Sequence, residues 1–337
     1  MIARVFALLV LIAGVAAFAA WYDYQRFLEA PLPFAEGTVY EVKKGTTAKA
    51  IGHDLQQQGL LTKSHWQHWF YLYSRLSKKG TAIKTGEFEL ASALTPPAFL
   101  DVLVTGRSRQ YTDSIIEGTT FKEVLLRLAQ SQSLVQTLNG VDASEVMVQL
   151  GYPGDHPEGR FFADTYNFPK DTSDLQFLRR AMKQLDKVLE EEWQGREPDL
   201  PFNTPYEALI LASIVEKETA VAAERPLIAG VFVSRLRKRM RLQTDPTVIY
   251  GMGDSYDGNI RRKDLRTDTP YNTYTRGGLP PTPIAMVGRE SIHAVMHPDK
   301  TTALYFVSRG DGTHKFSETI DEHNAAVRKY QLRRRNP

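Results

Sequence analysis

The chain has 337 residues, enough for two domains or one large one, and its 42% hydrophobic and 24% charged content excludes a disordered chain or a collagen-like fibre. It contains no cysteine, which excludes a disulfide framework, a thiol nucleophile and a cysteine-type zinc site but suits either redox compartment. The formal net charge of +3 falls to −2 once the C-terminal cluster Arg328, Lys329, Arg333, Arg334 and Arg335 is set aside, so no general nucleic-acid footprint remains.

Residues 5–22 carry no charge and, as a helix rising 1.5 Å per residue, reach about 27 Å, close to the roughly 30 Å hydrocarbon core of a bilayer. Arg4 and the amino terminus on one side, with Trp21, Tyr22 and Tyr24 on the other, predict a single-pass helix with its N-terminus in the cytoplasm. A cleaved signal peptide, with Ala17-Phe18-Ala19 as the small-residue pattern, and a buried soluble helix are the alternatives. The uncharged stretch exceeds a usual signal core of roughly 7–15 residues and the aromatic belt continues past the cut, which favours a retained anchor. Residues 28–38, with Pro31, Pro33 and Gly37, read as a spacer.

Tyr40 and Val42 alternate with charged neighbours as in a strand, and Thr46 or Thr47 can cap a helix ending at Gly59. A second helix from about Ser64 would turn Trp66, Trp69, Phe70, Tyr73 and Leu76 to the core, and Phe88 and Leu90 mark a second strand. That order resembles a LysM module, which implies a grip on glycan; a purely structural α+β unit is the alternative. Thr95-Pro96-Pro97 starts another helix and Gly106 ends it.

Helical periodicity then appears near 120–130, 174–193, 205–219, 226–239 and 317–331, with a strand at 303–308. Residues 242–287 are rich in Gly, Pro, Thr and Asn and nearly aperiodic, and a loop that long inside a domain is usually functional. Thr204, Pro205 and Glu207 form a capping box that fixes the phase of the following helix. At 100° per residue Glu218 then shares a face with Leu211, Ile214 and Val215, while Glu216 points away. Desolvation on an apolar face raises a carboxyl pKa and suits a general acid; a buried structural glutamate is the other reading. The Gln, Asp, Asn, Thr and Tyr side chains downstream suit the hydroxyls and ring faces of a sugar polymer, or else only shape a proline-stiffened loop.

Ile214-Val215-Glu216-Lys217-Glu218-Thr219, residues 243–250, Pro270 to Tyr274, Gly278 to Ile284, and Tyr305-Phe306-Val307 with His314, Phe316, Glu322, His323 and Asn324 resemble the YceG/MltG family of endolytic murein transglycosylases. The segments Ser114 to Gly118 and Glu158 to Tyr166 are similar as well; Ala163, Thr282 and Val287 depart from the family's turns. The resemblance implies that Glu218 is the catalytic acid/base of an inner-membrane enzyme with its catalytic domain in the periplasm, cutting peptidoglycan between N-acetylmuramic acid and N-acetylglucosamine. It also implies a 1,6-anhydro product, termination of glycan elongation, and a peptidoglycan synthase as partner. Glu117, Gln243, Asp245, Tyr250, Asn272, Thr273, Tyr274, His314, Glu322 and His323 are candidates for substrate binding, with Asp245 or Glu117 able to serve as a second carboxylate in a hydrolytic muramidase. A non-catalytic peptidoglycan-binding scaffold that recruits a synthase is the third reading.

The expected layout is α+β: cytoplasmic residues 1–4, transmembrane helix 5–22, linker 23–38, LysM-like subdomain 39–106, larger mixed catalytic domain 107–331 and basic tail 332–337. No cofactor, metal or nucleic acid is expected. His293 and His297 have helical i, i+4 spacing, but Ala294 stands where a zincin needs glutamate and Pro298 ends the helix. No Gly-x-Ser-x-Gly elbow, Ser-x-x-Lys pair or phosphate-binding glycine loop occurs.

Overall fold

The structure is a computed structural model that describes residues 2–332; Arg333, Arg334 and Arg335 of the basic tail lie outside the described residues. The fold is mixed α+β, and the chain divides into two compact units. One runs to Tyr111 and takes in Asn167–Lys170; the other comprises Thr112–Tyr166 and the chain from Asp171 onward.

Helix α1, Ile2–Glu29, is long and apolar enough to cross a membrane, and its apolar stretch is not covered by protein. It is followed by β1 (Thr38–Val42), α2 (Ala48–Gln57), α3 (Trp66–Leu76), β2 (Gly86–Leu90) and α4 (Pro96–Thr105). Thr47 caps α2 by accepting the Ala50 N–H at 3.2 Å, and Thr95 caps α4 with Pro96 in its first turn. Strands β1 and β2 pair antiparallel, from Thr38 opposite Leu90 to Val42 opposite Gly86. Their inward residues Tyr40, Val42, Phe88 and Leu90 meet Ile51, Leu55, Phe70, Phe99 and Leu103 in one core.

Two expectations are corrected here. Leu76 is 67% exposed, because the stripe of α3 turns away from the core in its last turn while Trp66 and Phe70 remain buried. Residues 23–38 are not a bare spacer: α1 continues to Glu29, and Phe27, Leu32 and Phe34 are buried in the same core. Asp23 accepts hydrogen bonds from His65 Nε2 at 2.7 Å, Trp69 Nε1 at 2.9 Å and Trp66 Nε1 at 3.2 Å, which fixes the exit of α1 against α3.

The second unit contains β3 (Tyr111–Ser114) from Thr112 on, α5 (Phe121–Ala129), α6 (Ala143–Leu150), β4 (Thr165–Phe168) as far as Tyr166, α7 (Asp174–Gly195), α8 (Pro205–Glu218) and α9 (Arg225–Arg237). It continues through α10 (Asp245–Met252), α11 (Arg289–Met296), β5 (Tyr305–Ser308), β6 (His314–Ser317) and α12 (Ile320–Val327). β3 pairs with β4, and β5 pairs antiparallel with β6 in a hairpin whose turn uses Gly310 at φ 79° and Gly312 at φ 92°. Thr120/Glu123, Ser173/Gln176, Thr204/Glu207 and Thr319/Glu322 form capping boxes that start α5, α7, α8 and α12.

Helix α8 is the centre of this unit. Every residue from Ala208 to Val215 is buried, and α7, α9, α10 and α11 pack around it. A helix apolar on all sides has to be enclosed by neighbours, which leaves only its end near a surface. That end carries Glu218.

Candidate active site

Glu218 is the last residue of α8, and its placement follows from the helix beneath it. Eight buried residues hold the helix rigid, so the carboxyl emerges at a fixed depth on the face shared with Ile214 and Val215. Burial, with Asp245 nearby, raises its pKa to about 7; the Thr244 hydroxyl, His314 and Arg235 act in the opposite direction. Protein surrounds the group, yet the residue keeps a partial opening to solvent, as an acid that meets an external substrate requires.

The opening is a cavity of about 500 Å³ lined by Glu218, Arg235, Gln243, Thr244, Asp245 and Tyr274, and on its other flank by Tyr305, His314, His323 and Asn324. Thr244 is nearly buried and donates its hydroxyl hydrogen to Glu218 Oε1. Its position is set by a threonine network: the Thr244 N–H donates to Thr273 Oγ1 at 3.1 Å, and Thr247 Oγ1 lies 2.8 Å from Thr273 Oγ1. The Tyr274 hydroxyl donates to Asp245 Oδ1 at 2.6 Å. His314 Nδ1 lies 2.7 Å from Glu224 Oε2, and the His314 backbone N–H donates to Glu224 Oε1 at 2.9 Å, so this carboxylate fixes the ring at the cavity wall. His323 stacks on Tyr305 with ring centres 5.3 Å apart, and burial holds its pKa below the usual value.

The structure thus brings Glu218, Gln243, Asp245, Tyr274, His314 and His323 to one cavity. Glu117 lines a second cavity of about 560 Å³ together with Gly118, Thr119, Lys217, Glu218 and Arg225, so Glu218 borders both. Burial and the neighbouring Glu216 raise the Glu117 pKa, opposed by Arg225 at 3.7 Å.

Four candidates are placed elsewhere. The Tyr250 hydroxyl donates to Glu158 Oε2 at 3.1 Å inside the unit. Asn272 is buried and organises its loop, donating to the carbonyls of Thr267 at 2.7 Å and Asp264 at 3.1 Å. Thr273 is buried in the threonine network, behind the cavity lining. Glu322 accepts the Glu318 N–H at 3.0 Å as part of the cap of α12.

Sequence reasoning missed Arg235, because a basic residue in the last turn of a helix reads as solvated. It is buried, donates to the carbonyls of Leu304 at 2.6 Å and Leu242 at 2.7 Å, and its guanidinium lies 5.1 Å from the centre of the Tyr305 ring. Three distant segments of the cavity wall are joined through this one side chain. Thr244 was equally hidden, since its partner Glu218 lies 26 positions away.

A second buried carboxyl, Glu158, also has its pKa raised to about 7, chiefly by burial. It is only 4% exposed, accepts the Phe121 N–H at 3.0 Å and the Tyr250 hydroxyl, and lines neither cavity that Glu218 borders. Access, not pKa, separates the two glutamates.

A rigid buried helix that presents one elevated-pKa glutamate to an open polar cavity is the arrangement of a site that carries an acid. The chain belongs to the YceG-like family, whose profile matches residues 40–329. It is 30% identical over 306 residues to the endolytic murein transglycosylase of Bacillus subtilis (strain 168), covering 86% of this chain and 83% of that protein. It is 25% identical over 345 residues to the endolytic murein transglycosylase of Streptococcus pneumoniae serotype 2 (strain D39), covering 91% of this chain and 61% of that protein. A crystal structure of a YceG-like protein from Listeria monocytogenes superposes with a TM-score of 0.55 at 29% identity, covering 86% of this chain and 98% of that one.

Proposed function

We propose that this protein is a lytic transglycosylase that cuts peptidoglycan glycan strands internally, between N-acetylmuramic acid and N-acetylglucosamine, with Glu218 as its acid and base. The observation that carries the reading is the Glu218 carboxyl, raised to about 7 and open to a polar cavity. Family membership, with two relatives named endolytic murein transglycosylases, supports it.

Protonated Glu218 donates to the glycosidic oxygen as positive charge grows at C1 of the muramoyl ring, a contribution of about 10²–10⁴ in rate. The resulting carboxylate then takes the proton of the muramoyl C6 hydroxyl, whose oxygen attacks C1 and closes the 1,6-anhydro ring. The bond to the leaving sugar breaks, a C6–O to C1 bond forms, and Glu218 ends protonated as it began; no water is consumed. A pKa close to neutrality suits a group that gives and takes the same proton. Glu218 lines two cavities, and a glycan strand with sugars in both would present an internal bond to it, as an internal cut demands.

Asp245 in the same cavity favours one competing reading, a hydrolytic muramidase in which it activates water. Mass analysis of digested strands separates the two, because an anhydro end is one water lighter than a reducing end. Glu218→Gln should abolish fragment release while the protein stays folded. Unchanged release would reject the assignment, and retained polymer with no release by the wild type would leave a binding scaffold.

The rest of the reading follows the family and the sequence. The first unit, around residues 39–106, acts as a LysM-like glycan grip and residues 107–331 as the catalytic domain. Helix α1 is a retained single-pass anchor in the inner membrane with its N-terminus in the cytoplasm, so that both units face the periplasm; the burial of Phe27 in the first core supports retention. Acting on nascent strands, the enzyme would end glycan elongation beside a peptidoglycan synthase, with the basic tail near anionic polymer or lipid.

A further inference from the structure

A cluster outside the site has the composition of a metal centre. His293 and His297 sit one turn apart at the end of α11, with ring centres 4.3 Å apart. The sequence offers no third ligand near them, and Ala294 and Pro298 argue against a zinc-protease helix. The fold supplies the third from α7: Glu192 Oε2 lies 2.7 Å from His293 Nδ1 and 4.0 Å from His297 Nε2. Ligand atoms of all three residues lie within 4.8 Å of one another.

We propose that Glu192, His293 and His297 bind a divalent transition ion of the zinc type and thereby tie α7 to α11. Two imidazoles and a carboxylate form a mixed nitrogen and oxygen set that favours zinc, nickel or copper over magnesium or calcium, which prefer all-oxygen cages. Tetrahedral zinc with bonds of about 2.0–2.1 Å needs ligand atoms roughly 3.3 Å apart. The two spacings to Glu192 Oε2, 2.7 and 4.0 Å, bracket that value, and the two histidine ligand nitrogens lie within 4.8 Å of each other, a span that rotation of the imidazole rings can close.

The surroundings resemble an oriented ligand shell. Glu192 is nearly buried, and its other oxygen accepts from Arg289 Nη1 at 2.8 Å, which fixes the carboxylate and leaves Oε2 toward the histidines. The cationic Arg289 opposes a metal, but its second amino group pairs with Glu191 at 2.6 Å, itself 3.8 Å from Lys187. His293 is 58% exposed at its side chain and His297 29%, so an ion can enter and water can complete its coordination. None of the three residues lines either cavity that Glu218 borders. The role is therefore structural: α11 packs on both α7 and α8, and a bond between α7 and α11 clamps the layer that holds α8.

The test is a titration of the full-length, chelator-treated protein in detergent with zinc sulfate, followed by calorimetry and thermal unfolding, with cobalt(II) absorption as a spectroscopic check. One equivalent should bind with a dissociation constant below about 10 µM and raise Tm by a few degrees at about a hundredfold excess over that constant. His293→Ala and His297→Gln should each weaken binding at least about tenfold, with far-UV circular dichroism unchanged and fragment release from glycan retained. No stoichiometric binding tighter than about 100 µM overturns the proposal, and so does binding retained in either variant, since the ion would then sit at another of the chain's histidines.

Discussion

Replacing Glu218 by Gln should stabilise the second unit, and the gain should depend on pH in a way that identifies the group. In the folded protein the carboxyl pKa rises from the ordinary 4.5 to about 7. Below pH 4.5 folded and unfolded states both hold the proton, and the carboxylic acid and the amide behave alike. Between 4.5 and 7 the unfolded chain releases its proton while the folded chain keeps it, so wild-type stability falls as pH rises. Above 7 both states are ionised and the full penalty stands, about 3 kcal/mol at 1.36 kcal/mol per unit. The amide never ionises and escapes that penalty, and the preference of the Thr244 hydroxyl for the charged oxygen is already contained in the shifted pKa. Glu158 titrates over the same range, but it is present in both proteins and cancels in their difference. Denaturant unfolding of wild type and Glu218→Gln at pH 5 and pH 8 should show a stability gap that widens by about 2–3 kcal/mol at the higher pH. A gap that stays constant would mean that Glu218 is not held protonated by its surroundings, and the acid role would lose its physical basis.

The cleavage rate should follow the same group. kcat/KM for glycan strands should fall about tenfold per pH unit above about 7, where the free enzyme loses the proton it must donate; a plateau to pH 9 would assign the acid elsewhere. Thr244→Val removes the hydroxyl that favours the charged carboxylate, so the alkaline limb should move to higher pH while the rate drops roughly tenfold. A limb that does not move would show that Thr244 only packs.

What the sequence makes legible and what it hides divide along chain separation. The phase of α8 is readable because Thr204, Pro205 and Glu207 are adjacent and the buried run follows at once, so the direction of Glu218 can be derived before any contact is known. Helix α10 is not: its eight residues lie between Gly- and Pro-rich segments, too few to show a period, and their burial comes from Thr247 and Val248 meeting distant partners. Strand β6 escapes for the same reason, as a four-residue edge defined only by pairing with β5. Arg235 reads as a solvated helix end because its acceptors, the carbonyls of Leu242 and Leu304, lie across 7 and 69 positions of chain. Glu192 is still more remote, 101 positions from His293, so composition near the histidines argues against a centre that the fold assembles. Local signals fix caps and phases, whereas walls of cavities and ligand sets are properties of packing.

Glu158 supplies the sharpest control on the chemistry, because it matches Glu218 in pKa and differs in access. Its carboxyl accepts from the first N–H of α5 and from Tyr250, and Tyr250 belongs to α10, whose first residue is Asp245. Glu158→Gln keeps one acceptor oxygen for the Phe121 N–H, and the phenol oxygen of Tyr250 can accept from the new amide, so the link between α5 and α10 survives in altered polarity. Stability should therefore become less pH-dependent between 4.5 and 7, while glycan cleavage should stay within about tenfold of wild type, against the loss of about 10²–10⁴ expected for Glu218→Gln. If elevated pKa alone made an acid catalytic, the two variants would fail alike. An equal loss in Glu158→Gln, with the fold intact, would mean that the reacting sugar meets Glu158, and the cavity beneath Glu218 would no longer be the place where the strand is cut.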